Sequence, residues 1–288
     1  MLTEIDRILL AVPDAESVAD KWCSLVGAQV KARDRVKEIG AKRITLRTGR
    51  SEVEILEPDS EGLISTELVR RGRPHLFAAG ATSNDPENVA AHAHSCGARV
   101  ASFDNRYLIE IDIEGAPIRF VISHNILRPK TGDIDFLYEA TVLAADQAHA
   151  VARMAEIFAL DTKNFTTITS KEFGYTGVLT MFREGTLHRF EVITPIDTEK
   201  TMGRYYAREG ASYYMAFAES GSMTSIESNA RATNAGITVD RPRKRPTYQP
   251  ADQLWLHPPA LGGMMLGISR PTMAWRWSGH PEQVENLE

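Results

Sequence analysis

The sequence predicts an α+β protein built from four βαβββ modules, and three observations carry that reading. The first 60 residues run strand, helix, strand, strand, strand. The same order recurs from His75, and the whole pair then repeats after a polar stretch at 125–133. Internal repetition of this kind outweighs any single local propensity.

In the first module the strand IDRILLAVP precedes the helix AESVADKWCSLVG, whose apolar positions Val18, Trp22, Leu25 and Val26 fall on one helical face. Three strands follow, AQVKARDRV, AKRITLRTG and SEVEILEP. Ile44 and Leu46 alternate with Arg43 and Thr45, the period of two that a strand requires. The second module reads HLFAAGAT, then a helix PENVAAHAHSCG with Pro86 in its first turn, then RVASF, RYLIEIDIE and APIRFVIS. One constant offset aligns Asp14 with Asp146 and Leu25 with Ile157, so the third module copies the first. A second offset aligns Gly97 with Gly236 and His75 with Tyr214, so the fourth copies the second. Alternating strands and helices also arise in parallel α/β sheets, but one helix followed by three strands, four times over, argues against that.

These repeats divide the chain into a domain at 1–124, a linker at 125–133, a second domain at 134–271 and a tail at 272–288. The tail carries Trp275 and Trp277 and is expected to dock on the surface or to cover a partner chain. With 43% hydrophobic residues, a chain of 288 residues can bury two ordinary cores.

The 33 basic and 38 acidic residues give a net charge of -5, with the cations scattered except at Arg241–Pro246, so nucleic acid is not an expected partner. Cys23 and Cys96 fall within helical apolar patterns and read as buried thiols of a reducing compartment. Neither a signal-peptide start nor an apolar run of about 18 residues is present, so no membrane association is expected and the cytoplasm is the expected location.

The entry segment IDRILLAVPDAES and the last hairpin LWLHPPALGGMMLGIS carry the most specific resemblance. Through them, and through the module order, the chain resembles the vicinal oxygen chelate (glyoxalase, bleomycin resistance and extradiol dioxygenase) superfamily in its four-module form. The hairpin is similar to that of methylmalonyl-CoA epimerase and its relatives. The resemblance implies that paired modules curl into two half-open mixed-sheet cups, with inner-face residues on the first and last strands of each module binding a divalent metal. Carried over, those positions are Arg7, Glu54, His75 and Arg119 in the first cup. In the second they are Glu139, Glu191, Tyr214 and Gly267.

Neither quartet is a good metal site. Guanidinium has no lone pair to donate and repels a cation, and Gly267 donates nothing. A ring-cleaving oxygenase of the extradiol type needs two His and one carboxylate in the second domain, so that activity is not expected. No cofactor is expected, although Glu139 and Glu191 could still hold Mg²⁺ or Mn²⁺ with waters.

Two carboxylates on neighbouring strands can move a proton without metal, because repulsion and burial raise one pKa. Glu139 and Glu191 are therefore the candidate acid and base, and Tyr214 the candidate hydrogen-bond donor to a developing enolate oxygen. Paired with an Arg, each Glu would instead be an ordinary strand residue. Candidate substrate-binding residues are His257 in the last hairpin, Arg243 and Arg245 in the basic loop, and the aromatics Trp255 and Phe217. His188 alternates with Phe190 and so faces away from Glu191. In the first cup, Arg7 and Arg119 around Glu54 read as a buried ion network, or alternatively as a carboxylate clamp with His75 as acid or base.

The function expected from these residues is an isomerase, epimerase or lyase transferring a proton on a small carbonyl, carboxylate or thioester substrate. A non-catalytic small-molecule binder of the resistance type and an atypical divalent-metal enzyme are the alternatives. A homodimer through sheet edges or the Trp-bearing tail is a reasonable assembly.

Overall fold

The computed structural model describes residues 1–287. Its first module comprises β1 (Leu2–Ala11), α1 (Ala15–Val26), β2 (Gln29–Val36), β3 (Ala41–Thr48) and β4 (Ser51–Pro58). A connecting helix α2 (Leu63–Arg71) leads to β5 (His75–Ser83), α3 (Pro86–Ser95), β6 (Arg99–Phe103), β7 (Arg106–Ile113) and β8 (Ala116–His124). The third module is β9 (Phe136–Leu143), α4 (Gln147–Phe158), β10 (Phe165–Ser170), β11 (Tyr175–Met181) and β12 (Arg189–Pro195). After a second connecting helix α5 (Thr201–Glu209) come β13 (Ser212–Glu219), α6 (Met223–Ala232), β14 (Ile237–Asp240), β15 (Gln253–Leu256) and β16 (Met265–Ser269).

Each module closes on itself by setting its last strand parallel to its first: β4 beside β1, β8 beside β5, β12 beside β9 and β16 beside β13. The modules then join into two mixed sheets, ordered β2-β3-β4-β1-β5-β8-β7-β6 and β10-β11-β12-β9-β13-β16-β15-β14. The fold is therefore the predicted α+β arrangement of four βαβββ modules paired into two half-open cups. The helices α2 and α5, which the sequence pattern does not announce, occupy equivalent places between modules.

Local chemistry explains the repeat. Asp14 and Asp146, aligned by the first offset, are both N-caps, accepting from the backbone N–H of Ser17 and His149 respectively. Helix α1 stops at Gly27, whose φ of 64° is left-handed.

The chain divides into two compact units. One contains Met1–Ile5, Ala78–Ile126 and Glu139–Tyr214, joining the second and third modules. The other contains Asp6–Phe77, Leu127–Tyr138 and Met215 onward, joining the first and fourth. The first unit is centred on Phe120, whose ring meets Phe158 at 4.9 Å, Phe190 at 4.7 Å and Tyr213 at 6.1 Å, all edge-on. Burying each such ring stabilises the fold by roughly 1.5–3 kcal/mol. In the second unit Trp22 is fully buried, and Phe217 stacks on Tyr138 at 6.0 Å and meets Trp277 of the tail at 6.4 Å.

The tail docks within the second unit, burying Met273 and Ala274, with the Thr272 N–H donating to Glu219. Stretch 125–133 is equally tied down. Thr131 exchanges backbone hydrogen bonds with Gly49, and Gly132, at φ 69°, packs so closely that a Cβ there would lie 2.4 Å from the Gly27 carbonyl oxygen. Cys23 and Cys96 are free thiols and only half-buried, not enclosed as the helical pattern suggests. No described helix is long and apolar enough to cross a membrane.

Candidate functional site

The third module gathers the candidate chemistry on one face. Phe190 packs on Phe158 of α4, so strand alternation turns Arg189 and Glu191 of β12 to the face away from that helix. The parallel register sets Arg189 beside Glu139 and Glu191 beside Thr141 on β9. Arg189 Nε donates to Glu139 Oε2 at 2.6 Å, with both side chains essentially inaccessible to solvent. The Thr141 hydroxyl lies 2.6 Å from Glu191 Oε2 and 3.2 Å from Glu139 Oε1.

Burial, and next the charge of Glu139, push the Glu191 carboxyl well above the usual carboxylate range. Glu139 is the member of the pair that is bonded to Arg189. A hydroxyl has one proton and cannot serve two carboxylates at once, so a proton on Glu191 completes the chain from Glu191 through Thr141 to Glu139. Tyr175, at the start of β11 and on the same face, has its phenol pKa raised by burial and by the charges of Glu191 and Glu139.

Comparison with the first module shows why Glu191 lacks a cation of its own. Arg7 and Glu52 are register partners on β1 and β4, and Glu139 and Arg189 hold the same places with the charges exchanged. Glu54 corresponds to Glu191, but it accepts from Arg7 at 3.0 Å and from Arg43 at 3.2 Å. Gly177 stands where Arg43 would be: Arg43 is opposite Leu56 and Gly177 opposite Ile193, each two residues beyond the glutamate. A Cβ at Gly177 would lie 2.9 Å from Ile193 Cγ2, so aliphatic groups fill that place.

The first module forms a charge-balanced network. Asp6, Arg7, Glu52 and Glu54 are each under 5% exposed, and Arg128 from the 125–133 stretch reaches Asp6 at 3.0 Å and Glu52 at 3.4 Å. Despite burial, Arg7 and Arg128 hold the Asp6 carboxyl below its usual range. Arg119 is buried and donates to Glu110 at 2.7 Å, so it too is part of an ion pair. His75 is buried on the face of Phe77 and Ala79. Its Nδ1 is 3.0 Å from the Arg73 carbonyl oxygen, an acceptor only, so Nδ1 carries the proton of the neutral ring and Nε2 is left without a hydrogen-bond partner. Burial, aided by Arg71 and Arg70, pushes its pKa down to about 4.

The remaining candidates divide by environment. Tyr214 is buried edge-on against Tyr205 at 5.0 Å, and burial pushes its phenol up to about 12. His257 Nε2 is 2.9 Å from Thr238 Oγ1, and its ring packs on Gly236, the arrangement of a satisfied turn residue. Arg243 is exposed, whereas Arg245 shares Asp252 with Arg270, and Arg241 bonds Glu227 at 2.6 Å. Trp255, half-buried, lies opposite Gly267 in register. His188 accepts from the Ile5 N–H at 3.1 Å, away from the carboxyl pair as alternation requires.

The last ligand position needs a correction. Gly267 pairs with Phe217, while Tyr214 stands on the other face of β13 by alternation. A Cβ at Gly267 would lie 2.2 Å from Phe217 Cε1, and its neighbours Leu266 and Ile268 are apolar and buried. Among the described residues no group of three or more His, Cys, Asp or Glu is placed to hold a metal ion. A guanidinium bonded to Glu139 and an aromatic ring at Gly267 do not fit the divalent metal of this fold family.

Arg189, Thr141 and Tyr175 are absent from the sequence-level candidates. Arg189 and Thr141 each lie two residues from a candidate Glu on the same strand, so alternation alone would have revealed them. No sequence signal marks Tyr175.

A triple mutant of 4-hydroxymandelate synthase from Streptomyces coelicolor superposes with a TM-score of 0.69 at 14% identity, covering 94% of this chain and 93% of that one. The chain has the vicinal oxygen chelate fold. A xylose isomerase-like TIM barrel/4-hydroxyphenylpyruvate dioxygenase fusion protein shares that fold with a TM-score of 0.64 at 11% identity, covering 94% of this chain and 49% of that one. At such identities the likeness within the vicinal oxygen chelate fold is one of architecture. No family model and no curated protein matches the sequence.

Proposed function

We propose that the protein is a small-molecule isomerase or lyase that transfers a proton next to a carbonyl, using Glu139 and Glu191 of the third module. The observation that carries this reading is the pair itself: two buried glutamates bridged by Thr141, one ion-paired with Arg189 and the other not. Such splitting of two like groups into one acid and one base is the usual basis of general acid–base catalysis.

In the proposed reaction Glu139 takes a proton from the carbon beside the carbonyl while Glu191 gives its proton to the carbonyl oxygen, leaving an enol. Glu139 then gives its proton to another carbon of the enol, or to a group leaving the neighbouring carbon, while Glu191 recovers the enol proton, which completes an isomerisation or an elimination. No redox partner is consumed. Positioned acid–base groups of this kind contribute about 10²–10⁴ in rate. A reducing intracellular setting, which the two free thiols support, is part of the proposal.

The test is exchange of α-hydrogens for solvent deuterium across a panel of ketones, esters and thioesters, followed by proton NMR. The wild type should catalyse exchange on at least one class, and Glu139→Gln and Glu191→Gln should each lower it by about 10² or more. Exchange that survives both substitutions removes the mechanism. Tight binding with no exchange on any compound would favour a non-catalytic binder instead.

A further inference from the structure

This inference rests on the carboxyl-pair reading and narrows its substrate class. The registers of β10, β11, β12 and β9 bring to one face the ionisable side chains Glu139, Arg189, Glu191 and Tyr175. Other positions on that face carry hydroxyl or apolar groups, such as Thr166 and Leu179. Among its described residues one cation therefore stands against two carboxylates. That cation is bonded to Glu139 and, through Nη1, to the Leu187 carbonyl at 3.1 Å.

An arriving carboxylate or phosphate would add negative charge beside Glu139 and would compete with it for Arg189. Leaving a buried charge without full pairing is strongly unfavourable. An uncharged carbonyl meets the opposite situation, because a protonated Glu191 and a phenol are neutral O–H donors facing a group that only accepts. We propose that this face takes a small uncharged carbonyl compound, a ketone, ester or amide, that Glu191 and Tyr175 supply the donors that select it, and that carboxylate and phosphate compounds are excluded. The high pKa of the Tyr175 phenol keeps it a donor across the neutral range.

The test is a binding titration of the full-length protein near neutral pH, followed by NMR, with benzamide and benzoate as isosteric uncharged and anionic probes. Benzamide should bind roughly tenfold or more tightly than benzoate. Tyr175→Phe should weaken benzamide severalfold while leaving the thermal melt in place. Glu191→Gln, still neutral and still a donor, should keep the benzamide preference while losing deuterium exchange. That split separates selection from catalysis. A preference for benzamide in a protein that exchanges no α-hydrogen would remove the reaction and leave the selectivity standing. Benzoate binding as tightly as benzamide, or neither probe binding at millimolar concentration, overturns the inference.

Discussion

Glu139 and Arg189 face one another across the parallel strands β9 and β12 at 2.6 Å, with neither side chain exposed beyond 1%. The equivalent pair in the first module, Arg7 and Glu52, carries the opposite charges. In the first module further arginines close the network around Glu54; in the third, Gly177 leaves Glu191 with a hydroxyl. The difference between a charge-balanced scaffold and a candidate reaction centre comes down to those exchanges.

Removing the cation of a buried ion pair leaves a desolvated carboxylate. Arg189→Met should destabilise the protein by about 3–5 kcal/mol. Chemical denaturation at neutral pH checks this, and a loss no larger than the roughly 1 kcal/mol of a surface pair would contradict the burial argument.

Glu191 has its carboxyl pKa raised above the ordinary 4.5, so between that value and its folded pKa the folded state holds a proton that the unfolded chain has released. Wild-type stability should therefore fall as pH rises through this window. Glu191→Gln removes the effect, so its melting temperature should gain on the wild type as pH increases from about 4.5. Parallel curves for the two proteins would show an ordinary carboxyl.

The sign is opposite at His75. Its folded pKa of about 4 lies below the ordinary 6.5, so the unfolded chain binds the proton first as pH falls. Stability present above 6.5 should be lost progressively down to about 4. His75→Gln should flatten that part of the melting-temperature profile, and an unchanged slope would place the acid sensitivity elsewhere.

Gly132 combines a left-handed backbone with a contact that admits no side chain. Gly132→Ala should cost about 1–3 kcal/mol, read from a denaturation midpoint. Full stability in that variant would mean that the 125–133 stretch is a loose spacer after all.

Much of the architecture was legible because each module repeats its own signals. Asp14 and Asp146 mark helix starts, and the alternation around Ile44 marks a strand. The connecting helices α2 and α5 were not, since each is nine residues long and buries few side chains. At the site, Glu139 and Glu191 were legible as residues at inherited positions. Alternation puts Arg189 and Thr141 on the faces of Glu191 and Glu139, but their contacts across β9 and β12 become visible only when register is known, because a parallel pairing joins positions fifty residues apart in the chain. Gly267 shows the converse limit: a one-residue shift in a strand exchanges its faces, and sequence similarity alone did not fix that shift.

Glu191 is the acid of the pair only if its carboxyl keeps its proton well above the usual carboxylate range. Carbon-detected NMR titration of glutamate carboxyls tests it directly, with Glu191→Gln to assign the signal and Glu54→Gln as control. One glutamate carboxyl should titrate well above the ordinary acidic range, and its signal should vanish in Glu191→Gln and persist in Glu54→Gln. If every glutamate titrates in the ordinary acidic range, the carboxyl pair is a structural feature and the proposed chemistry fails.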